Sequence, residues 1–250
     1  MQRLALYCNH LSANQATSNV QSEPTQLPKK LKKPSGVLTQ DLIDLLDEKL
    51  EKLKEFATLD PKNSWKLDSD KKGIRVHTRD DAETGCRWVR GETIVSTTPI
   101  DIVERVLYAD KSQTGHNQYD STTEGNKRIE RINGYSFSYS LGKKPGLFIS
   151  PRDTLVCNHW VEENGVIYCV GTSATHPDCP EREGVIRAHV ILWGYILTPL
   201  PKDPNFTNVV YVLATDVKGI LPKAIVNWFV TEQGFGVGRI RDWIALNPKK

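Results

Sequence analysis

Two pairs of histidine and cysteine are the residues of this chain that could do nucleophilic or metal chemistry. Cys157 and His159 lie two positions apart, which places both on one face of a strand, and His176 and Cys179 form an HxxC pair. A nucleophilic cysteine needs a base and a third group that orients the base, and none is evident. A zinc ion needs further ligands, which nothing near His176 supplies. We therefore expect no catalytic residue, no metal site and no cofactor.

The composition indicates a soluble globular protein that does not bind nucleic acid. The chain has 250 residues, of which 38% are hydrophobic and 25% are charged. Its formal net charge is only +3 at pH 7. Much of that excess lies in one short cluster rather than on a folded face, namely Lys29, Lys30, Lys32 and Lys33.

Cysteine spacing and hydropathy predict a cytoplasmic protein. The five cysteines are odd in number, and no CxxC occurs, so a disulfide framework is not expected. No apolar run approaches the ~18 residues of a membrane span, and the N-terminus lacks the apolar core of a secretory signal. Residues 1–22 contain no acidic residue, as in a mitochondrial presequence, but Arg3 is their only basic residue. A mitochondrial leader therefore remains an alternative.

The chain divides into a tail and one domain. Residues 1–36 are rich in Asn, Gln, Ser, Thr and Pro and end in the lysine cluster. Such a segment cannot bury enough apolar surface to offset its ordering entropy, so we predict a disordered basic and polar tail. Residues 37–250 form the domain. It opens with an amphipathic helix that Thr39 caps and that ends before Asp60-Pro61.

Alternating patterns then predict a run of antiparallel strands interrupted by one helix, Ile100 to Tyr108. Asn133-Gly134 is a strong hairpin signal, and the strand after it alternates strictly between aromatic residues and serines. Helix-rich sequence follows the last strand. The predicted strands are 73–78, 87–95, 127–132, 135–141, 153–161, 165–173, 185–197 and 209–216, and the helix-rich segment is 223–246.

This order of elements predicts an α+β fold with a long antiparallel sheet. A sheet of that length with one apolar face must curve around an interior, and a helix across its mouth would complete a cavity. On the third of the later strands, Ala188, Val190, Leu192, Gly194 and Ile196 share the apolar face that we take as the inner wall.

Five sequence blocks resemble the START domain, the steroidogenic acute regulatory protein-related lipid-transfer family. Their order and spacing match over residues 149–227, and the likeness extends over about residues 40–246. The blocks are Ser150-Pro151-Arg152-Asp153, Gly184-Val185-Ile186-Arg187-Ala188, Pro199-Leu200, Thr215-Asp216-Val217-Lys218-Gly219-Ile220-Leu221-Pro222 and Val226-Asn227.

The resemblance implies a helix-grip fold, in which the sheet surrounds a tunnel for one lipid and a C-terminal helix closes the tunnel. The small cytosolic sterol carriers look most similar. Mitochondrial sterol-delivery members have a buried ion pair at the positions of Tyr139 and Asn158, which this chain lacks. The strand 211–215 also lacks the paired tyrosines of phosphatidylcholine carriers. Both departures favour a small-headed, mostly apolar lipid.

The resemblance places Tyr139 and Asn158 inward, where a hydroxyl and an amide could bind the hydroxyl of a sterol or bond within the protein. With strand parity, the predicted lipid-binding residues are Phe137, Tyr139, Val156, Asn158, Ala188, Val190 and Leu192. The predicted gate is the turn and helix at Gly219, Leu221, Pro222, Ile225 and Phe229. Lys218 and Lys223 flank it, which suits an anionic bilayer. Arg152 and Asp153 could contact a head group, but a structural role is favoured.

We therefore expect a monomeric, non-enzymatic carrier that moves one apolar lipid, a sterol, between membranes that it touches transiently. Two alternatives stay within the same fold: a module that senses a lipid and signals to a partner, and a carrier of a phospholipid, a ceramide or a carotenoid. A third is an enzyme that uses the same cavity, in which Cys157 and His159 would take part in turnover.

Overall fold

The structure, a computed structural model, describes residues 37–108, 120, 122–144, 146 and 149–249. The tail predicted over residues 1–36 lies outside the described residues, as does most of the loop predicted over residues 110–126. In the described part of the chain, no helix is both long enough and apolar enough to span a bilayer.

Among the described residues, one sheet of ten strands dominates the fold, and its main path runs β1-β2-β3-β10-β9-β7-β6-β5-β4. Neighbours on this path are antiparallel, while the short β8 pairs in parallel with β6. The strands are β1 Lys66–Lys71, β2 Ile74–Asp80, β3 Arg87–Val95, β4 Thr123–Ile132, β5 Tyr135–Gly142, β6 Arg152–Glu163, β7 Val166–Ser173, β8 Ile186–Arg187, β9 His189–Leu200 and β10 Asp203–Asp216.

Helices cover both faces of this sheet. α1 (Gln40–Phe56) begins after Thr39, whose hydroxyl accepts the Leu42 N–H as the sequence predicts. α2 (Pro99–Ile102) continues as a π-helical turn to Leu107, and the helix-rich C-terminus divides into α3 (Lys223–Gly234) and α4 (Gly236–Leu246). α1 packs on one face, while α2, α3 and α4 pack on the other. The long curved sheet with its C-terminal helix is the predicted α+β helix-grip fold.

Two apolar layers hold α1 on its face of the sheet. Leu50, Leu53 and Phe56 pack on β3, β7, β9 and β10, where the indole of Trp88 lies edge-on to the Phe56 ring at 4.9 Å. Ile43 and Leu46 pack at the other end of the helix on β5 and β6. The apolar stripe of α1 is thus buried along its whole length, and most of the sheet face beneath it is apolar.

The C-terminal helices approach β2 and β3 on the opposite face through glycines. A Cβ atom at Gly91 of β3 would lie 2.1 Å from the carbonyl oxygen of Gly234, and one at Gly234 would lie 2.6 Å from a methyl group of Val76. Backbone atoms cannot move aside as a flexible side chain can. The end of α3 therefore rests on the sheet only because neither position carries a side chain.

We predict that Gly91→Ala lowers the free energy of unfolding by about 3 kcal/mol, since the new methyl group forces α3 and β3 apart. The measurement is urea denaturation. Gly125→Ala is the matched control in β4, because a Cβ there meets nothing within 4 Å. The control should change the free energy of unfolding by less than about 0.5 kcal/mol. Equal losses in both variants would contradict the steric explanation.

Candidate functional site

A cavity of about 250 Å³ lies between the sheet and α3. Its volume is near the lower end of the range for small-molecule sites. Residues of β4, β5 and β6 form one part of its wall, and residues of β9 and β10 form another part. α3 lies across the opening, and its residues Ile225, Val226, Trp228, Phe229 and Gln233 complete the enclosure.

The wall formed by β5 and β6 is polar. Ser138 and Ser140 of β5 and Thr154 and Asn158 of β6 all line the cavity. The Asn158 amide donates to the Ser138 hydroxyl at 3.3 Å. In the described part of the chain, the hydroxyls of Ser140 and Thr154 and the amide oxygen of Asn158 have no protein hydrogen-bond partner. These groups can therefore bind a ligand or water.

The expectation that the aromatic face of β5 lines the cavity is wrong. Phe137 is fully buried on the opposite face, in the apolar layer with Ile43 and Leu46 of α1. Tyr139 contributes to the cavity wall, but its hydroxyl is bonded by Arg182 and its ring lies under the guanidinium groups of Arg182 and Arg187. Neither arginine lines the cavity, so the hydroxyl of Tyr139 points away from the interior. Because α1 needs an apolar partner, the aromatic residues face α1 and the serines face inward.

A β-bulge in β9 reverses the parity that the sequence predicts. Ala214 of β10 pairs with Leu192, but Thr215 pairs with Val190, so Ile191 is an extra residue. Ala188 and Val190 therefore line the cavity as expected, while Leu192 and Ile196 pack in the layer under α1. Gly194 also faces α1, since a Cβ there would meet Leu53 at 2.6 Å. The prediction that Leu192, Gly194 and Ile196 belong to the inner wall is wrong.

Beyond the bulge, β9 and its neighbour β10 supply aromatic wall residues that strand parity from the sequence missed. Trp193 and Tyr195 line the cavity after the bulge, opposite Tyr211 of β10. Tyr195 stacks on Tyr211 with ring centroids 4.5 Å apart and meets Trp193 edge-on. Without the bulge, Trp193 and Tyr195 would lie on the α1 face of the sheet. The sequence alone therefore did not show that they line the cavity.

Val156 and Asn158 line the cavity where the resemblance placed them. Ala188, just before β9, and Val190 of β9 also line it, and the Ala188 N–H donates to the carbonyl oxygen of Asp153 at the start of β6. The contact of these residues with a lipid stays a prediction. Asn158 is 6% exposed and Val156 is 9% exposed, so both lie deep in the cavity.

The predicted gate residues divide between the turn before α3 and its inner face. Leu221, Ile225 and Phe229 recur every four residues and line the cavity, as one side of a helix should. Gly219 has a φ of +72°, which a glycine adopts without strain, and Pro222 is the residue before the first turn of α3. Neither of them lines the cavity. Their part is to shape the turn that positions the helix.

Arg152 and Asp153 are held within the protein. The Arg187 guanidinium donates to both carboxylate oxygens of the buried Asp153, at 2.7 and 3.2 Å. Arg152 donates to the carbonyl oxygens of Ser150, Val217 and Lys218. This bonding fits the favoured structural role. It also ties the start of β6 to the turn that precedes α3.

A charged group closes the end of the cavity near the break between α3 and α4. Arg239 lies 3.1 Å from the carboxylate of Glu232 and 3.5 Å from that of Asp120. Hydrogen bonds from Thr122 and Thr123 and the charge of Arg239 outweigh burial and lower the pKa of Asp120. Arg239 thus pairs with two carboxylates, and no sequence pattern indicated that these three residues would meet.

Neither histidine–cysteine pair forms a reactive centre. Cys157 and His159 lie on the α1 face rather than in the cavity, and burial raises the pKa of the Cys157 thiol to about 12. His176 Nε2 contacts the carboxylate of Glu130 at 2.8 Å, and its Nδ1 accepts the Asp178 N–H. Within the described ranges, no group of three potential metal ligands occurs.

Residues 44–242 match the family model for the START domain. The chain belongs to the START domain family. Lipid binding and transfer is the function of this family. The family assignment that the sequence blocks suggested is confirmed.

Curated relatives and solved structures agree with this assignment. StAR-related lipid transfer protein 5 from Bos taurus is 30% identical over 177 residues, which are 67% of this chain and 79% of the relative. Steroidogenic acute regulatory protein, mitochondrial, from Gallus gallus is 25% identical over 91% of this chain and 80% of its own length. The structure of human StAR-related lipid transfer protein 5 superposes with a TM-score of 0.71 at 24% identity, covering 82% of this chain and 97% of that chain.

We predict that the buried side chain of His159 makes the stability of the fold depend on pH. Its ring is 2% exposed, and neither ring nitrogen has a partner among the described residues. Burial lowers the pKa of His159 to about 4, whereas an unfolded histidine titrates near pH 6.5. Between those values the unfolded chain binds more protons than the folded chain. The free energy of unfolding should therefore fall by about 2 kcal/mol from pH 7.5 to pH 5.

Urea denaturation at several pH values measures this loss. His159→Phe should remove most of the slope and leave only a weaker contribution from His77, whose pKa burial and Arg90 also lower. His189→Gln at an exposed histidine is the control and should retain the slope of the wild type. An unchanged slope in His159→Phe would show that another group is responsible.

Proposed function

We propose that this protein is a non-enzymatic carrier that binds one sterol-like lipid in the cavity and moves it between membranes through the cytosol as a monomer. The observation that supports it best is an enclosed cavity with an apolar aromatic wall, a wall of hydroxyl and amide groups, and a helix across its opening. Such a site can hide apolar surface from water while it binds a hydroxyl.

The charges around the cavity favour a lipid without a charged head group. Arg239 is already paired with Glu232 and Asp120, and Arg152 is bound to three carbonyl oxygens. A phosphate inside would have to displace these partners. A hydroxyl needs only the neutral groups of Asn158 and its neighbours, which cost less to desolvate.

We predict that Ile225→Asp reduces lipid binding at least ten-fold, because it places a charge on the cavity side of α3. Ala224→Asp is the matched control: it adds the same charge to the same helix at an exposed position that does not line the cavity. Native mass spectrometry after incubation with sterol-containing liposomes measures the bound fraction. Sterol binding by the control and its loss in Ile225→Asp support the cavity as the site.

Two other results would contradict different parts of the proposal. If the folded wild-type protein carries no lipid and extracts none from liposomes, lipid carriage is wrong. If it carries a phospholipid or ceramide and no sterol, the carrier function stands and the sterol assignment falls.

The turn before α3 and the outer side of α3 form the surface that we propose docks on membranes. The side chain of Ile220 is fully exposed, and Trp228 is 62% exposed. Lys218 and Lys223 flank Ile220 and are exposed, as is Lys143 on the rim of the cavity. Apolar tips surrounded by lysines fit an anionic bilayer, near which each lysine contributes about 1 kcal/mol. Docking there would place the opening of the cavity against the lipid.

The variant Ile220→Glu should slow sterol transfer between vesicles about ten-fold and leave the affinity for sterol in solution unchanged, because Ile220 does not line the cavity. The control is Leu246→Glu, an equally exposed leucine at the end of α4. Transfer by the wild type should also slow at high salt, since salt screens the lysines. Transfer at the wild-type rate by Ile220→Glu would exclude this surface.

A module that senses a lipid is the second candidate, and the separation of transfer from binding distinguishes the two. A sensor would bind sterol and exchange it slowly, without transfer between vesicles. We propose no turnover, because Cys157 and His159 lie on the α1 face, away from the bound lipid.

A further inference from the structure

We propose that the lysine cluster of the N-terminal tail docks on the outer face of α1 of the same chain, and that an anionic membrane competes with α1 for it. The cluster consists of Lys29, Lys30, Lys32 and Lys33. The contact between tail and helix does not depend on what the cavity holds. Its role in membrane attachment rests on the proposed function, in which the protein visits membranes.

The outer face of α1 carries only carboxylates. From the first turn of the helix to its last, every residue that is exposed after Gln40 is acidic, whereas the three lysines of the helix are half-buried. Spacings of three and four residues place five of the six acidic residues in one stripe along the helix. This acidic face consists of Asp41, Asp44, Asp47, Glu48, Glu51 and Glu55.

The charge of the acidic face is only partly balanced. Glu48, Glu51 and Glu55 lie 3.2, 2.9 and 3.9 Å from the ammonium groups of lysines on or just after α1. Asp41 and Asp44 form no ion pair with any residue that the structure describes. Like charges three and four residues apart on a helix repel one another, so a cation at this face relieves the repulsion. The unbalanced charge lies in the first two turns of α1.

The path of the chain brings the tail to these same turns. Leu38 is fully buried and Val37 packs beside it, so the chain enters the fold next to the start of α1. Lys33 lies four residues before Val37 and Lys29 lies eight before it. At about 3.3 Å per residue they reach at most ~13 and ~27 Å from Val37. The acidic face is about 21 Å long, so the whole of it is within reach.

The residues between the cluster and the domain suit the reversal that this docking needs. The chain has to turn back between Lys33 and Val37, and the intervening Pro34-Ser35-Gly36 contains the residue types that turns favour. A lysine carries a point charge on a long flexible side chain, so it can meet a carboxylate without a fixed backbone geometry. The contact is therefore electrostatic and should weaken as salt rises.

Docking on α1 would hold the lysines away from the surface that we propose meets the membrane. α1 packs on one face of the sheet, and α3 packs on the other. An anionic bilayer offers the four ammonium groups a second set of negative charges. The tail then leaves α1 only where the membrane is the stronger anion. Attachment through the tail would thus depend on the content of anionic lipid in the membrane.

Trypsin, which cleaves after lysine, measures the docking in the full-length protein. The triple variant Asp41→Asn, Asp44→Asn and Glu48→Gln removes three charges from the acidic face. At low salt we expect trypsin to cleave the cluster about five-fold faster in this variant than in the wild type. At high salt the two rates should be equal, because salt screens the contact. Mass spectrometry of the fragments locates each cut.

Two references accompany this comparison. The variant Asp178→Asn, Glu181→Gln and Glu183→Gln removes three exposed carboxylates from the loop before β8, and its tail should be cleaved at the wild-type rate. A synthetic peptide of residues 24–36 gives the cleavage rate without α1. The peptide should be cleaved faster than the wild-type tail at low salt, and this comparison decides the question even if a variant does not fold.

Vesicle binding tests the competition. The vesicles contain phosphatidylcholine and phosphatidylserine in a ratio of about four to one, and co-sedimentation measures the bound protein. The triple variant of α1 should bind them about five-fold more tightly than the wild type, and the variant of the loop before β8 less than two-fold. The first gain should disappear when all four lysines of the cluster are changed to glutamine, and no variant should gain affinity for phosphatidylcholine alone.

The outcomes that overturn the inference differ from those that overturn lipid carriage. Equal cleavage of the wild type and the α1 variant at low salt shows that the tail does not dock there. Protection that grows with protein concentration assigns the acidic face to the tail of a second copy. Protection without a gain in vesicle binding overturns the competition with the membrane. None of these measurements uses a lipid in the cavity, so a protein that carries no lipid contradicts the proposed function alone.

Discussion

α1 packs on one face of the sheet and the cavity lies on the other, and the rest of the structure depends on which side chains of each strand face α1. Leu46, Leu50 and Leu53 form an apolar stripe that must be buried, and the face that buries it must be apolar too. Because side chains alternate along a strand, the cavity receives whatever faces the other way. In β5 that is the serine face. The polarity of the cavity wall is thus a consequence of the packing of α1.

The same constraint explains two backbone features of β9. Leu53 needs room where a Cβ at position 194 would collide with it, and Gly194 supplies that room. Ile191 and Leu192 both face α1 at the bulge, so the strand reverses its parity and returns its next aromatic residue to the cavity. The side-chain hydroxyl of Thr172 donates to the carbonyl oxygens of Val190 and Ile191, which satisfies backbone groups that the irregular pairing leaves over. β9 thereby packs against α1 with one face and lines the cavity with the other.

Local patterns in the sequence predicted most of the elements, and the sequence blocks identified the family. The cap at Thr39 and the Asn133-Gly134 hairpin both act within a few residues. β1 was not predicted from the sequence, because its six residues are mostly exposed on both faces and show no alternation. Local patterns do not show which face of a strand lines the cavity. Period two shows that Phe137 and Ser138 face opposite ways, but only the position of α1 shows which way is inward. A single extra residue such as Ile191 has no signature of its own.

Burial also differs between the two C-terminal helices, and this difference suits a cavity that has to open. α4 buries Val237, Ile240 and Ile244, and Gly238 lies against Ile74 of β2. α3 buries only Val230 and Gly234, at the end that touches Gly91. A segment with few buried apolar contacts opens at a lower free energy than its neighbours. Movement of α3 about the glycines at 234 and 236 would therefore expose the cavity while α4 stays on the sheet. The bonds of Arg152 to the turn before α3 would resist that movement at the other end until a membrane offers Ile220 and Trp228 a better environment.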